Sequence, residues 1–341
     1  MNLFRKKAER TAGEGTAEEV AEQAIAPVPA SPRKRTKKRW TQRNWTVFFI
    51  ATAGLAVLFV FHYMPLVGLG LAFKDADYKG NILEAFVTSE WVGFAQFKAF
   101  FNDPDFVNVL VNTICLNLLM LLINFPAPII FALLINEVHN RIYKKGLQIV
   151  ATFPHFISWS IFGGIVIALI DPTTGIMNPI LQALGLSPAE NPVYLGSAEY
   201  FWPIMIIASL IKNVGWGSIV YLAAIASIPQ ELYEAAAIDG SNRFTNAIYI
   251  TLPSIAPTIS VFLLLNVSRL LGNSFEQFDS MQNVVNLSRS EVLATFIYRT
   301  GISARRYSYT TAVGLFESVV SIILLVTSNF ISKKTTGRGI L

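Results

Sequence analysis

Charged residues are scarce in this sequence: they make up 14% of its 341 residues, whereas 53% are hydrophobic and the mean hydropathy is +0.48. An ordinary soluble domain carries about 25% charged residues, so much of this chain must be surrounded by something other than water. Cysteine is almost absent, with Cys115 alone, which excludes a disulfide scaffold. High apolar content excludes a disordered chain, and glycine without a three-residue period excludes a collagen-like one. The remaining class is an integral membrane protein.

Motifs for catalysis, metal binding and nucleotide binding are missing as well. The sequence contains no GxxxxGK[ST] phosphate loop, no G-x-S-x-G nucleophile elbow and no H-E-x-x-H zinc motif. Its three histidines, His62, His139 and His155, lie near different membrane boundaries without metal-ligand spacing. We therefore expect no catalytic residue, no metal site and no cofactor bound by this chain, and any ATP chemistry must come from another protein.

Positive charge is concentrated at the N-terminus. The formal net charge is +5, and the first 45 residues hold 11 of the 27 Lys and Arg residues. Such a run can bind nucleic acid, but here it precedes a long apolar segment, which favours contact with anionic lipid on the cytoplasmic side. We interpret residues 1–44 as a basic, disordered cytoplasmic tail that binds membrane lipid and no nucleic acid.

Six apolar stretches are long enough to cross a bilayer as helices, which takes about 20 residues each. Their expected bounds are 45–66, 107–136, 148–170, 202–225, 252–272 and 310–331. With the N-terminus inside, cytoplasmic segments hold 18 Lys and Arg residues and external segments hold 7, so the positive-inside rule puts both termini in the cytoplasm. The predicted fold class is all-α integral membrane, with six transmembrane helices within residues 45–335 and a cytoplasmic end at 336–341.

Three connecting segments have patterns of their own. Residues 67–106 are rich in aromatic residues, which predicts a small folded cap on the external surface, and residues 290–300 are amphipathic enough for an interfacial helix. The loop at 227–251 contains a helix pattern from Gln230 to Ile238, a break at Asp239-Gly240 and a second helix over 242–249. We therefore predict a cytoplasmic helix–turn–helix between helices four and five.

A rigid helix joined to two transmembrane helices can transmit a push from a soluble partner into the membrane. The alanines at 235–237 leave a smooth surface that a partner's groove can approach, and Glu231, Glu234 and Asp239 supply acceptors at its margin. An ordinary connector with good helix propensity remains the alternative.

The same loop carries a family motif. Glu234-Ala235-Ala236, three residues, Gly240, nine residues and then Ile250-Thr251-Leu252-Pro253 match the pattern EAA-x3-G-x9-I-x-LP over 20 positions. The segment resembles the EAA loop of permease subunits in binding-protein-dependent ABC importers. The chain from about 40 to 341 looks like the sugar-importer branch of that family, and residues 307–339 are similar to its polysaccharide and oligosaccharide permeases.

The resemblance implies a division of labour in a bacterial plasma membrane. Two homologous permease subunits would form the pore, a pair of cytoplasmic ATPase subunits would use ATP and Mg beneath them, and an extracellular binding protein would deliver an oligosaccharide. The EAA loop would sit in a cleft of the ATPase and drive alternating access. The residues expected to couple the two are Glu234, Ala235, Ala236, Asp239 and Gly240.

Polar side chains follow one face of the fourth predicted span. Ser209, Lys212, Asn213 and Trp216 are spaced i, i+3, i+4 and i+7, and a charge at membrane depth faces the bundle interior or a water-filled path. In one interpretation this stripe lines the substrate path, where a uronate-containing oligosaccharide would suit the charge and Trp216 would stack on a pyranose face. In the other, Lys212 pairs with Glu317 of the sixth span and Trp216 is packing.

Polar residues in the other predicted spans are expected to line the path or to bond one helix to another. Asn266, directly after the coupling loop, joins the substrate-path candidates. Interhelical hydrogen bonds are expected of Thr113, Asn117, Asn124, Ser158 and Ser160.

Two other classes of protein are the alternatives. A self-sufficient secondary transporter or channel would need intramembrane acids or inverted repeats, and a membrane-embedded enzyme of glycan metabolism would need paired carboxylates or a metal cluster.

Overall fold

The computed structural model describes residues 42–77, 82–186, 192–272 and 274–336. Within these ranges the regular structure is helical, and β pairing is limited to an isolated bridge between Lys74 and Trp91. Five helices are long and apolar enough to cross a bilayer, or six if one bent pair counts as a single span. Most of the predicted tail (1–44) and of the predicted cytoplasmic end (336–341) lies outside the described residues.

The chain divides into two compact units, Met1–Met64 and Pro65–Leu341. In the first unit, helix α1 (Gln42–Leu58) continues through a π-turn at Phe59–Tyr63, in agreement with the predicted span at 45–66. Its side chains are apolar around the whole circumference and exposed. A helix of this kind has lipid or another protein as its environment.

The second unit contains most of the helices. In chain order they are α2 (Ile82–Thr88), α3 (Ala95–Phe101), α4 (Phe106–Asn124), α5 (Pro126–Asn136), α6 (Arg141–Thr152), α7 (Trp159–Ile170), α8 (Met177–Ala183), α9 (Ala198–Ala226), α10 (Gln230–Ile238), α11 (Arg243–Asn246), α12 (Leu252–Ser268), α13 (Phe275–Asp279), α14 (Leu287–Ser290), α15 (Leu293–Tyr298) and α16 (Tyr307–Thr336). Tighter 3-10 turns lie at Met64–Phe73, Phe153–Phe156 and Tyr194–Gly196, and π-turns at Ala247–Thr251 and Arg299–Ser303.

Helix α9 is the central helix of this unit. In its most apolar stretch 44% of the residues are buried, against 22% or less in the other four candidate spans. Two glycines let neighbouring helices approach its backbone: a Cβ on Gly215 would lie 2.2 Å from the backbone of Ala151, and a Cβ on Gly217 would lie 3.0 Å from the ring of Pro128. Because these glycines have no side chain, α6 and α5 pack directly against the backbone of α9. Helix α9 therefore sets the positions of both neighbouring helices.

The third predicted span, 148–170, is not a single straight helix. Residues Arg141–Phe156 and Trp159–Ile170 form two helical pieces that meet at 105°. Pro154 has no backbone N–H and cannot continue the hydrogen-bond ladder, and Ser158 starts α7 by accepting a hydrogen bond from the backbone N–H of Ile161. The structure therefore corrects the unbroken helix that hydropathy predicts here.

The predicted loop at 227–251 differs from expectation at its second helix. Helix α10 ends at Asp239-Gly240 as predicted, with Gly240 at a φ of +79°. From Arg243 to Ser268, however, the chain forms one continuous helix, so the expected second helix and the fifth span are a single element. The π-turn between them, closed by the N–H of Leu252 on the carbonyl of Ala247, accommodates the missing donor of Pro253. That this loop lies on the cytoplasmic side of the membrane stays a prediction.

The predicted cap at 67–106 contains α2 and α3, and α3 packs into the core. Phe100 is fully buried in a cluster with Phe296 of α15 and Tyr309 of α16. The segment 290–300, expected to be an interfacial helix, contains α15 and contributes buried side chains to this cluster; its position at the membrane interface stays a prediction. Asp77 adds a polar tie, since its carboxylate accepts a hydrogen bond of 2.7 Å from the backbone N–H of Ser308. The external location of the cap stays a prediction.

Candidate functional site

A cavity of about 410 Å³ lies among α4, α5, α9, α12 and the segment that follows α12. Four of the predicted path residues line it: Ser209, Asn213, Trp216 and Asn266. Further lining side chains are Asn117, Asn124, Tyr221, Phe262, Arg269 and Gln277. Amides can exchange hydrogen bonds with hydroxyl groups, and aromatic rings offer flat apolar faces, so the wall suits a ligand that presents both kinds of surface.

Lys212, which the sequence places on the same stripe, does not line this cavity. It is only 4% exposed, and its Nζ donates hydrogen bonds to the carbonyl oxygens of Pro154 at 3.0 Å and His155 at 3.1 Å, and to that of Ile157. Within the described residues it forms no ion pair with Glu317. At the break in the third span the carbonyl of Pro154 also accepts the backbone N–H of Ile157 at 3.2 Å, and the ammonium supplies a donor to all three carbonyls. In this structure Lys212 therefore bonds to the backbone and neither lines the cavity nor pairs with Glu317.

His155, which the sequence gave no role, supports the cavity wall. Its ring is parallel to that of Trp216, with centroids 4.6 Å apart and an interplanar angle of 3°. Its Nδ1 lies 3.1 Å from Oδ1 of Asn213, whose Nδ2 donates to the carbonyl of Ser209 at 3.0 Å. Since the amide nitrogen is engaged with Ser209, Oδ1 accepts from the Nδ1–H of the imidazole. His155 thus fixes two residues that line the cavity.

Arg269 and Asn124 were also not predicted to lie on the path. Arg269 follows Asn266 by three residues, just after α12 ends, and its guanidinium has no hydrogen bond or ion pair within the described part of the chain. Oδ1 of Asn124 is buried without a hydrogen-bond partner in the described residues. The only sequence signal for Arg269 is a charge at the end of an apolar span. The guanidinium of Arg269 could be satisfied by a ligand that carries a carboxylate group.

Of the residues expected to act as glue between helices, two do so. Asn117 donates to the carbonyl of Leu270 at 2.6 Å, and Thr113 accepts from the N–H of Leu293 at 2.9 Å. Ser158 instead caps the start of α7. The second span is therefore tied to the segments after α12 on one side of the cavity.

The residues of the family motif lie on the surface of α10 and the turn after it. Glu234, Ala235, Asp239 and Gly240 are exposed, and Ala236 is half-buried. Apolar side chains accompany them, since Ile238 is 88% exposed and Phe244 and Tyr249 are each 75% exposed. We call this set, from Glu234 to Tyr249, the α10 surface.

Two polar contacts join the α10 surface to the helices behind it. The hydroxyl groups of Tyr233 and Thr251 share a hydrogen bond of 2.9 Å, which ties α10 to the start of α12. Arg243 lies 3.7 Å from the carboxylate of Glu137, just after α5. These contacts connect α10 to α12, which lines the cavity, and to the end of α5.

The family model described as "Binding-protein-dependent transport system inner membrane component" matches residues 106–335, from the first residue of α4 to the last turn of α16. This chain belongs to that family. The permease is therefore an inner-membrane transport subunit and not an enzyme, because in such systems the ATPase lies on separate subunits. Membership decides against both rival classes, and it confirms the resemblance that the EAA motif indicates.

Relatives of the permease extend over most of its length. Protein LplB of Bacillus subtilis (strain 168) is 43% identical over 288 residues, which cover 84% of the permease and 88% of LplB. The polygalacturonan/rhamnogalacturonan transport system permease protein YteP of the same organism is 36% identical and covers 84% and 87%. A crystal structure of a bacterial ABC transporter involved in the import of the acidic polysaccharide alginate has a similar chain, at 35% identity, a TM-score of 0.77 and coverage of 86% and 97%.

Proposed function

We propose that this permease forms one half of the pore of an ATP-driven importer that carries uronate-containing oligosaccharides into the cytoplasm by alternating access. The observation that carries the proposal is the cavity of about 410 Å³, which is lined by amides, aromatic rings and Arg269, whose guanidinium has no partner within the described residues. Its volume falls in the range of small-molecule sites. Trp216 and Phe262 offer faces for pyranose rings, and the amides offer partners for hydroxyl groups.

Arg269 is the group that favours an acidic sugar. A guanidinium binds a carboxylate with two parallel hydrogen bonds, and Arg269 has no protein partner in the described residues. Lys212, the charge that the sequence places on the path, is engaged with backbone carbonyls instead. Two relatives support an acidic cargo, since their names specify polygalacturonan, a polymer of a uronic acid, and the acidic polysaccharide alginate.

The α10 surface is where a separate ATPase would dock. Its exposed apolar side chains need a partner to leave water, and Glu234 and Asp239 can accept hydrogen bonds at the margin. A pair of ATPase subunits that binds ATP and Mg would close against it, and a second homologous permease would complete the pore. An extracellular binding protein would load the path, and a related alginate transporter has been solved with its alginate pentasaccharide-bound periplasmic protein.

The test is uptake by the complete importer in proteoliposomes, with trigalacturonate and its methyl ester as the two cargoes. The ester has the same rings and nearly the same size but no negative charge. We expect ATP-dependent uptake of trigalacturonate that exceeds uptake of the ester. Equal uptake of both would contradict the uronate assignment, and no uptake of either would contradict the oligosaccharide assignment.

A further inference from the structure

The break between α6 and α7 leaves backbone carbonyls in the apolar part of the fold. The last carbonyls of any helix have no partner within that helix, and Pro154 removes a further N–H at this point. An unsatisfied carbonyl is costly where no water can reach it. The backbone N–H of Ile157 bonds to the carbonyl of Pro154 at 3.2 Å, and the other carbonyls at the break need donors from elsewhere in the chain.

Lys212 supplies these donors from another helix. Its buried ammonium bonds to three carbonyls of the break, those of Pro154, His155 and Ile157. Its charge is balanced by carbonyl dipoles at a helix end, since it has no ion pair in the described residues. At broken transmembrane helices such carbonyls coordinate a bound cation, and here a side chain occupies that position.

One of the three carbonyls connects Lys212 to the cavity wall. The carbonyl of His155 accepts from Lys212, while the ring of the same residue stacks on Trp216 and holds Asn213. Trp216 is 46% exposed and lines the cavity beside Asn213. The position of the ammonium therefore sets where the imidazole lies, and the imidazole sets the orientation of both lining residues.

We propose that Lys212 is a positioning residue of the substrate path: it takes the place of a bound cation at the break in the third span and thereby holds the His155–Trp216 stack and Asn213 in the cavity wall. The inference rests on the proposed function only in treating this cavity as the path. Lys212 acts through its charge and its donors and does not touch the cargo.

The first experiment measures molecules of trigalacturonate imported per ATP hydrolysed by the reconstituted importer. Lys212→Met keeps the volume but removes the donors, and misplacement of the wall should lower this ratio about tenfold or more while the loaded binding protein still stimulates ATP hydrolysis. In Lys212→Ala, n-propylammonium should restore the ratio, because it returns a cationic donor to the vacated space, whereas n-propanol should not. Lys144→Met is the matched control, since within the described residues Nζ of Lys144 donates a hydrogen bond to the Asn136 side chain, at 3.4 Å, and none to the carbonyls of the break.

The second experiment follows the stack itself and needs no transport. It compares the tryptophan emission of each purified protein with that of its Trp216→Phe counterpart, which isolates the signal of Trp216. Lys212→Met should change this difference, and n-propylammonium should return Lys212→Ala to the native value. Unchanged emission with an unchanged import ratio would overturn the inference, as would a parallel loss of ATP hydrolysis and import without rescue. If wild-type protein imports nothing, the proposed function fails, and the emission measurement still decides the role of Lys212.

Discussion

The cavity wall and the α10 surface differ in where their polar groups find partners. In the wall, Asn213 is bonded to His155 and Ser209, and His155 is stacked on Trp216; behind the wall, the ammonium of Lys212 is bonded to backbone carbonyls. On the α10 surface, Glu234 and Asp239 point outward, and Ile238 is almost fully exposed. The polar groups of the wall are thus satisfied largely within this chain, whereas those of the α10 surface are exposed and, in the proposed function, meet another protein. Changes to the two regions should therefore fail in different ways.

The largest effect is expected from Gly240→Pro on the α10 surface. Gly240 has a φ of +79°, which proline cannot adopt, so the turn that sets α10 against α12 would be lost. We expect ATP-driven uptake to fall about a hundredfold, as for a misplaced catalytic element, with normal amounts of protein in the membrane. The matched control is Gly185→Pro, since Gly185 also has a positive φ, +67°, and also ends a helix. Equal uptake by the two variants would remove the coupling role from this turn.

Charge reversal on α10 tests whether the motif residue Glu234 contacts the ATPase. Glu234 belongs to the EAA motif, whereas Glu231 is exposed on the same helix three residues earlier. Glu234→Lys should reduce uptake about tenfold, since one charge-assisted contact with the ATPase becomes a repulsion, and Glu231→Lys should reduce it less. The measurement is binding of the ATPase to each variant alongside uptake. If the Glu231 variant proves the weaker binder, docking is centred on the first turn of α10 and not on the motif.

In the cavity wall, Arg269→Gln should change which cargo is carried and leave coupling intact. Loss of a charge-assisted hydrogen-bond pair to a carboxylate is worth about 1.5–3 kcal/mol, so uptake of trigalacturonate should fall about tenfold or more. Uptake of its methyl ester should stay the same, because the ester has no charge for Arg269 to bind. Arg289→Gln is the control, since Arg289 packs over Trp202 outside the cavity. Equal losses for both cargoes would mean that Arg269 supports the fold and does not recognise the charge.

The sequence predicts the α10 surface better than the wall because the motif is continuous. Six apolar stretches and a motif of 20 positions can be identified from neighbouring residues alone. The wall is assembled from segments far apart in the chain: Lys212 bonds to carbonyls 55 to 58 residues away, and Asn117 to one 153 residues away. The hydropathy pattern does not reveal the break at Pro154. The sequence pattern does not predict the π-turn that joins α11 to α12.

The smallest expected effect is a difference in stability between variants of two amide side chains that line the cavity, Asn117 and Asn124. Asn117 donates to the carbonyl of Leu270, so Asn117→Leu leaves a carbonyl unsatisfied and should lower the free energy of unfolding by about 1–3 kcal/mol. Oδ1 of Asn124 has no partner within the described residues, so Asn124→Leu should cost much less stability. Thermal unfolding of each variant in detergent compares the two. If Asn124→Leu destabilises the chain as much as Asn117→Leu, the oxygen of Asn124 is hydrogen-bonded in the folded permease.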